Sequence, residues 1–305
     1  MSAKLFRGSR GLSWRQGLPA AMLGAGVGIA AAIGPLGAHL IKFRTSAHIE
    51  NQFIGGEVAS LGLVAPAAIA GGVLTARGHR LGPVLSLGSA MYAVYTYTTV
   101  ITGQEYARYP GNVEKFFPLY AALVAGGAAT AVWSWNRIDE RSLPELSDRL
   151  RKGLAGTFLS LGAFFALAWA AQIAAVLAGH ESDEYREGPA LFWTIKLLDY
   201  GFFIPLLLAT GTGLIRRDPR ATKVAYGLAP FATCMIASIT GMAVAMELKD
   251  DPSASLGMLA IFAPIGLVLA GLTGALLRNL MPGTTERGDH RHGGIATHFW
   301  RSKLS

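Results

Sequence analysis

Eight apolar stretches, each about twenty residues long, limit what this chain can fold into. A helix needs ~20 apolar residues to cross ~30 Å of hydrocarbon, and lipid leaves helices and closed barrels as the spanning structures that satisfy their own backbone. The stretches lie at 17–41, 54–76, 83–103, 115–135, 153–178, 190–214, 222–246 and 255–279. Composition agrees: 15% of residues are charged and mean hydropathy is +0.38, against ~25% charged in ordinary globular proteins. These features predict an all-α, polytopic membrane protein with eight transmembrane helices.

Charge in the loops gives the topology. The segment before the first span, the second, fourth and sixth loops with Lys223 at the edge of the seventh span, and the segment from Arg278 onward together hold twenty Lys and Arg. The other loops hold six: Lys42, Arg44, Arg108, Lys115, Arg186 and Lys249. An excess of Lys and Arg marks cytoplasmic loops, so both termini are predicted inside. The net charge of +8 then calls for membrane lipids as partners, through anionic headgroups, and for no nucleic acid. The first stretch is long enough to span and no cleavage site follows it, so it is read as a retained helix and not a signal peptide.

Five segments follow. Residues 1–16 form a basic amino-terminal segment, 17–135 a first set of four spans, and 136–152 a charged cytoplasmic loop with a short surface helix expected near Pro144. Residues 153–279 form a second set of four spans, and 280–305 a polar tail expected to be largely disordered. The two sets share a pattern. At an offset of 139 residues, 57–90 matches 196–229 at Gly62/Gly201, Pro66/Pro205, Ala70/Ala209, Gly72/Gly211, Arg77/Arg216, Gly88/Gly227 and Ala90/Ala229. Each copy runs from an ionisable residue through a proline-centred helix to a basic turn. Four spans separate the copies, so both enter the membrane in the same sense and predict two parallel four-helix repeats about an axis along the membrane normal.

Charge inside a span is costly unless paired or hydrated. Glu57 and Lys196 occupy equivalent positions nine residues before the prolines, and Asp199 follows Lys196 at i+3. A paired cluster of Glu57, Lys196 and Asp199, or a polar cavity holding them, is therefore expected. The cluster reads either as an ion pair locking the halves or as a solute site. Tyr92, Tyr95, Thr99 and Thr102 share a face of the third span, which suits a cavity wall or interhelical hydrogen bonds equally. Gln172 is expected to hydrogen-bond a neighbouring helix, and small residues at Gly24/Gly28, Gly71/Thr75, Gly126/Thr130 and Gly271/Gly274 to form packing faces.

Nothing points to a cofactor or to enzyme chemistry. P-loop, HExxH, GxSxG and Rossmann patterns are missing. A single cysteine, Cys234, excludes a disulfide framework. His39 is the one histidine inside a predicted span, too few for haem held by two imidazoles. His290, His292 and His298 beside Asp289 lie in the polar tail and are not read as a metal site.

The basic turn, Tyr92-x-x-Tyr95-x-Tyr97, the run Phe116-Phe117-Pro118-Leu119-Tyr120, and then Trp193, Asp199, Gly201, Pro205 and Arg216-Arg217 together resemble an uncharacterised family of bacterial multi-pass membrane proteins over residues 50–278. That resemblance implies a bacterial cytoplasmic (inner) membrane and no particular chemistry. The function expected from the charged spans is binding or transport of a small polar or ionic solute through an outward-opening cavity. Glu57, Lys196 and Asp199 would be its charged group, and Tyr92, Tyr95 and Thr99 its wall. The alternatives are an accessory subunit holding a membrane partner or a second copy of itself, and, third, a lipid-modifying enzyme.

Overall fold

A computed structural model describes residues 13–252 and 254–281. The basic segment before residue 13, and the tail beyond 281 with its histidines, lie outside the described residues. Among the described residues, eight helices are long and apolar enough to cross a membrane: α1 (Trp14–Ile33), α2 (Ala47–Ala76), α3 (Leu81–Thr102), α4 (Val113–Arg137), α5 (Asp148–Leu177), α6 (Pro189–Ile215), α7 (Pro219–Leu248) and α8 (Leu256–Arg278). Every regular element among the described residues is helical.

Local sequence sets the helix boundaries. Ser46, Ser147 and Asp218 cap α2, α5 and α7 by accepting backbone N–H bonds with their side chains. Proline opens α6 and α7 at the first helical position, where its missing N–H costs nothing. The first span is shorter than hydropathy predicts. It stops at Ile33 because Gly34 precedes Pro35, and the residue before a proline avoids the α region; Gly34 is extended, with ψ −169°. The chain then doubles back, with Ala38 N–H on Ala32 O and Leu40 and Ile41 N–H both on Ile33 O. His39 sits in this turn at φ 53°, outside any span. Nor is there a surface helix at Pro144: a single turn at Glu140–Ser142 precedes it, and Asp148 already begins α5.

Helices α2 and α6 are each interrupted at matching places. A π-turn occupies Ser60–Val64 in α2 and Asp199–Phe203 in α6, the same 139-residue offset as the sequence matches. Ala65 N–H reaches Ser60 O and Ile204 N–H reaches Asp199 O, the i→i−5 bond that defines the wider turn. Proline is the cause. The rings of Pro66 and Pro205 would press on the carbonyls four residues back, those of Gly62 and Gly201, so the helix opens there.

The most buried helices, α3 and α7, cross at the centre. They meet at Gly88, where an added Cβ would lie 2.6 Å from Pro230, and at Gly227, where it would lie 2.5 Å from Leu87. On one side α1 packs on the second segment of α2; on the other α5 packs on the second segment of α6. The first segment of α2 leans on α7, and that of α6 touches α3. Helices α4, α5 and α8 are the least buried and carry exposed apolar residues such as Val132, Leu167 and Leu267, as lipid-facing helices do. Of the small-residue pairs, Gly24 and Gly71 make close contacts, whereas Gly126, Gly271 and Gly274 have nothing among the described residues within 4 Å of an added Cβ.

The loops gather at two ends. The basic end joins Ser13 to Ala76 (3.1 Å), Gln16 to Arg137 (3.1 Å), Arg80 to Ser142 (3.3 Å) and Asp148 to Arg217 (3.2 Å). At the distal end the chain after α1 is stitched to the chain after α3: Lys42 N–H donates to Asn112 Oδ1 (2.7 Å) and Arg44 N–H to Gln104 Oε1 (2.6 Å). The Arg44 guanidinium forks onto Glu114 at 2.6 and 2.9 Å, and that hydrogen-bonded carboxylate raises its pKa further above the ordinary range.

Candidate functional site

A cavity of about 200 Å³ lies between the interrupted helices and the central pair. Its wall takes Gln52, Phe53, Glu57 and Ser60 from α2, Tyr95, Thr96, Thr99 and Val100 from α3, and Ile195, Asp199 and Phe203 from α6. Met235, Ser238 and Met242 of α7, Phe165 and Trp169 of α5, and Tyr120 of α4 also line it, as do Ala30 of α1 and Phe262 of α8. Towards the distal end it reaches Phe43, Glu184 and Met258. Glu184 belongs to a short helix, Asp183–Glu187, capped by Ser182 between α5 and α6.

Asp199 anchors the site. It is 4% exposed and lies ten residues into α6, roughly 15 Å along its axis at 1.5 Å per residue. The π-turn begins at Asp199. Its two carboxylate oxygens accept from different helices: Oδ1 from Tyr95 Oη of α3 at 2.7 Å, and Oδ2 from Trp169 Nε1 of α5 at 2.6 Å. Both partners are donors, and the distances match charge-assisted bonds. Three helices are tied through this one side chain.

Lys196 is one turn away and 3% exposed. Among the described residues no carboxylate lies within ion-pair distance of it. Its ammonium instead sits 4.1 Å from the ring centroid of Trp169 and 3.9 Å from that of Phe192. Such contacts contribute ~0.5–2 kcal/mol each, more when desolvated. The expected ion pairs of Lys196 with Asp199 and with Glu57 are therefore not formed. The two cationic contacts and the two donors on Asp199 share Trp169, which makes that indole the link between the opposite charges.

Glu57 has another task. Its Oε2 accepts the Leu36 N–H at 2.7 Å, filling a backbone site left open where α1 breaks. The approach needs glycine, since a Cβ on Gly34 would lie 2.0 Å from Glu57 Oε1. Glu57 thus faces the cavity while bonded to the distal turn, and does not join Lys196.

The hydroxyl face of α3 is split. Tyr95 and Thr99 reach the cavity, and Thr99 Oγ1 donates to Tyr95 O at 3.0 Å. Tyr92 is fully buried away from it. Its hydroxyl meets Ser60 Oγ at 3.1 Å and Ser238 Oγ at 3.2 Å, and donates to Gly56 O at 3.3 Å, so it joins α2, α3 and α7 as packing. Thr102 is exposed and bonds its own helix. Gln172 Oε1 has no partner among the described residues.

Trp169 is the residue that sequence reasoning passed over. Tryptophan concentrates at membrane–water interfaces, so an indole deep inside a spanning helix was the available signal. Above it, His48 Nδ1 lies 3.0 Å from Asp251 Oδ1, and Asn51 Nδ2 donates to Asp251 Oδ2 at 2.8 Å. These bonds tie the start of α2 to the loop after α7. No protein-family model, no curated protein and no solved structure matches this chain.

Proposed function

We propose that this protein binds a small polar or ionic solute in the central cavity, or carries it across the membrane, with the cavity facing outward and both termini in the cytoplasm. The observation that carries this reading is Asp199. A carboxylate held at mid-helix by donors from two other helices, on a cavity wall, with no cation among the described residues within ion-pair distance, is costly in a purely structural role. The excess of Lys and Arg in alternate loops and terminal segments of the sequence supports the orientation. Two parallel four-helix halves are supported by the shared π-turn offset and by the matched packing of α1 on α2 and α5 on α6. A bacterial inner-membrane setting is consistent with these features and with the family resemblance.

Movement of one half against the other would occur about the α3–α7 crossing, with the interrupted helices α2 and α6 as the bending elements. The test is purification in mild detergent followed by mass spectrometry of what stays bound. A small molecule lost in Asp199→Asn, with the fold retained, is the expected result. A stoichiometric protein partner and no small molecule would favour an accessory subunit instead.

A further inference from the structure

The chemistry of the wall narrows the solute. Most polar side chains on it are already satisfied within the protein. Tyr95 donates to Asp199, Thr99 to Tyr95 O, and Tyr97 to Val27 O (3.4 Å), while Ser60 and Ser238 meet Tyr92. A sugar or other polyhydroxylated solute would find few free partners and would forfeit hydrogen bonds to water. A bare metal ion needs six or more oxygen ligands, or several nitrogen or sulfur ligands, and among the described residues no group of three or more His, Cys, Asp and Glu converges.

What the wall does offer is negative charge and aromatic faces. Glu57 and Asp199 line it and Glu184 stands at its distal end, while Lys196 lies behind the wall against Trp169 and Phe192. Phe43, Phe53, Tyr120, Phe165 and Phe203 supply the rings, and Met235, Met242 and Met258 the adaptable thioethers. An anion is repelled by this set. A cation with an apolar skin gains from both parts of it: carboxylates provide the long-range attraction, and rings replace the water of a weakly hydrated ammonium group. The protein already holds one ammonium in this way, since Lys196 rests against the ring faces of Trp169, which lines the cavity, and of Phe192 behind it. At about 200 Å³ the cavity is smaller than the ~300–1,000 Å³ pockets that take drug-sized ligands.

We infer that the solute is a small organic cation, a quaternary or alkylated ammonium compound, held between Asp199, Glu57 and the aromatic rings. This rests on the solute-binding reading above and names its substrate class. The experiment is isothermal calorimetry on the full chain in nanodiscs. The probes are choline and phenyltrimethylammonium, with 3,3-dimethylbutan-1-ol as choline's neutral isostere, and benzoate and glucose as non-cationic solutes. Both cations are expected to bind, at least tenfold more tightly than the isostere, with no heat from benzoate or glucose. Asp199→Asn should weaken phenyltrimethylammonium at least tenfold and Glu57→Gln should weaken it severalfold. Thermal melting of each variant identifies any that has lost its fold, and Glu57→Gln, which keeps an acceptor for Leu36 N–H, stands in if Asp199→Asn does not fold. Isostere binding as tight as choline, or binding of benzoate or glucose in place of the cations, overturns the cation assignment and leaves a solute cavity standing. Silence from every probe, together with no small molecule co-purifying, overturns both.

Discussion

Helices α2 and α6 bend alike and do different chemistry. Each opens into a π-turn ahead of its proline, and each presents an ionisable residue three positions before that turn. In α2 the residue is Glu57, and the neighbouring helix α1 has broken off at Gly34, so Glu57 turns to the loose end and takes Leu36 N–H. In α6 the residue is Lys196, and the neighbouring helix α5 runs on to Leu177, so a continuous wall presents Trp169 to it. The first position of the turn differs too: Ser60 in α2 shares a hydroxyl network with Tyr92, whereas Asp199 in α6 is a buried acceptor for two donors. A shared backbone device leaves the chemistry free to diverge, and the neighbour decides which chemistry is stable.

The largest expected difference lies where these helices meet their partners. A Cβ at Gly17 would come within 2.0 Å of Gly72 O, across the α1–α2 crossing, while one at its counterpart Gly156 would meet nothing among the described residues within 4 Å. Gly17→Ala should lower stability by about 3 kcal/mol, at the upper end of overpacking costs. Gly156→Ala should stay within about 0.5 kcal/mol. Unfolding of each variant in the same detergent checks the contrast, and equal effects would erase it.

Next come the first positions of the π-turns. Asp199→Ala leaves Tyr95 Oη and Trp169 Nε1 without an acceptor, at ~1 kcal/mol or more for each buried donor, so a loss of about 2 kcal/mol is expected. Ser60→Ala leaves Tyr92 with Ser238 and Gly56 O, and should cost under ~1 kcal/mol. Thermal unfolding of both variants measures the gap.

The ionisable positions should differ less. Glu57→Ala strips Leu36 N–H of its partner and should cost about 1 kcal/mol, whereas Glu57→Gln keeps an acceptor and should cost less. Lys196→Met keeps an apolar stem on Trp169 and Phe192 while removing a buried charge, so its stability should stay within about 1 kcal/mol of the parent. A collapse of Lys196→Met would mean that the buried charge on its two rings, and not the apolar stem, stabilises the fold.

Smallest of all are Gly62→Ala and Gly201→Ala. Neither position has a neighbour among the described residues within 4 Å of an added Cβ, so each should move stability by no more than about 0.5 kcal/mol. Should either unfold the protein, the proline-driven opening of the π-turn would need another explanation.

The sequence showed the spans because length and hydropathy are properties of single segments. It missed the end of α1, because a hydropathy window spreads over Gly34-Pro35 and does not register backbone punctuation. The matched prolines announced a bend in α2 and α6, though not that a π-turn would absorb it. For the site, Glu57, Lys196 and Asp199 were visible as expensive residues, yet their partners were not. The Asp199 contacts come from Tyr95 and Trp169, 104 and 30 residues away, and no local period links them. Tyr92 looked like a cavity residue because it shares a helical face with Tyr95; only the position of Ser238 on α7 turns it into packing.

One experiment goes to the heart of the proposal, which is that an outward cavity reaches Asp199 at mid-helix. The single native cysteine is removed as Cys234→Ala, and Thr99, on the wall beside Tyr95, becomes Thr99→Cys. Labelling by a small, membrane-impermeant charged methanethiosulfonate is then compared from the two sides of the membrane. Rapid reaction from the outer side, and none from the cytoplasmic side, is the predicted result. A thiol that stays unlabelled from outside, or that reacts only from the cytoplasm, would contradict it.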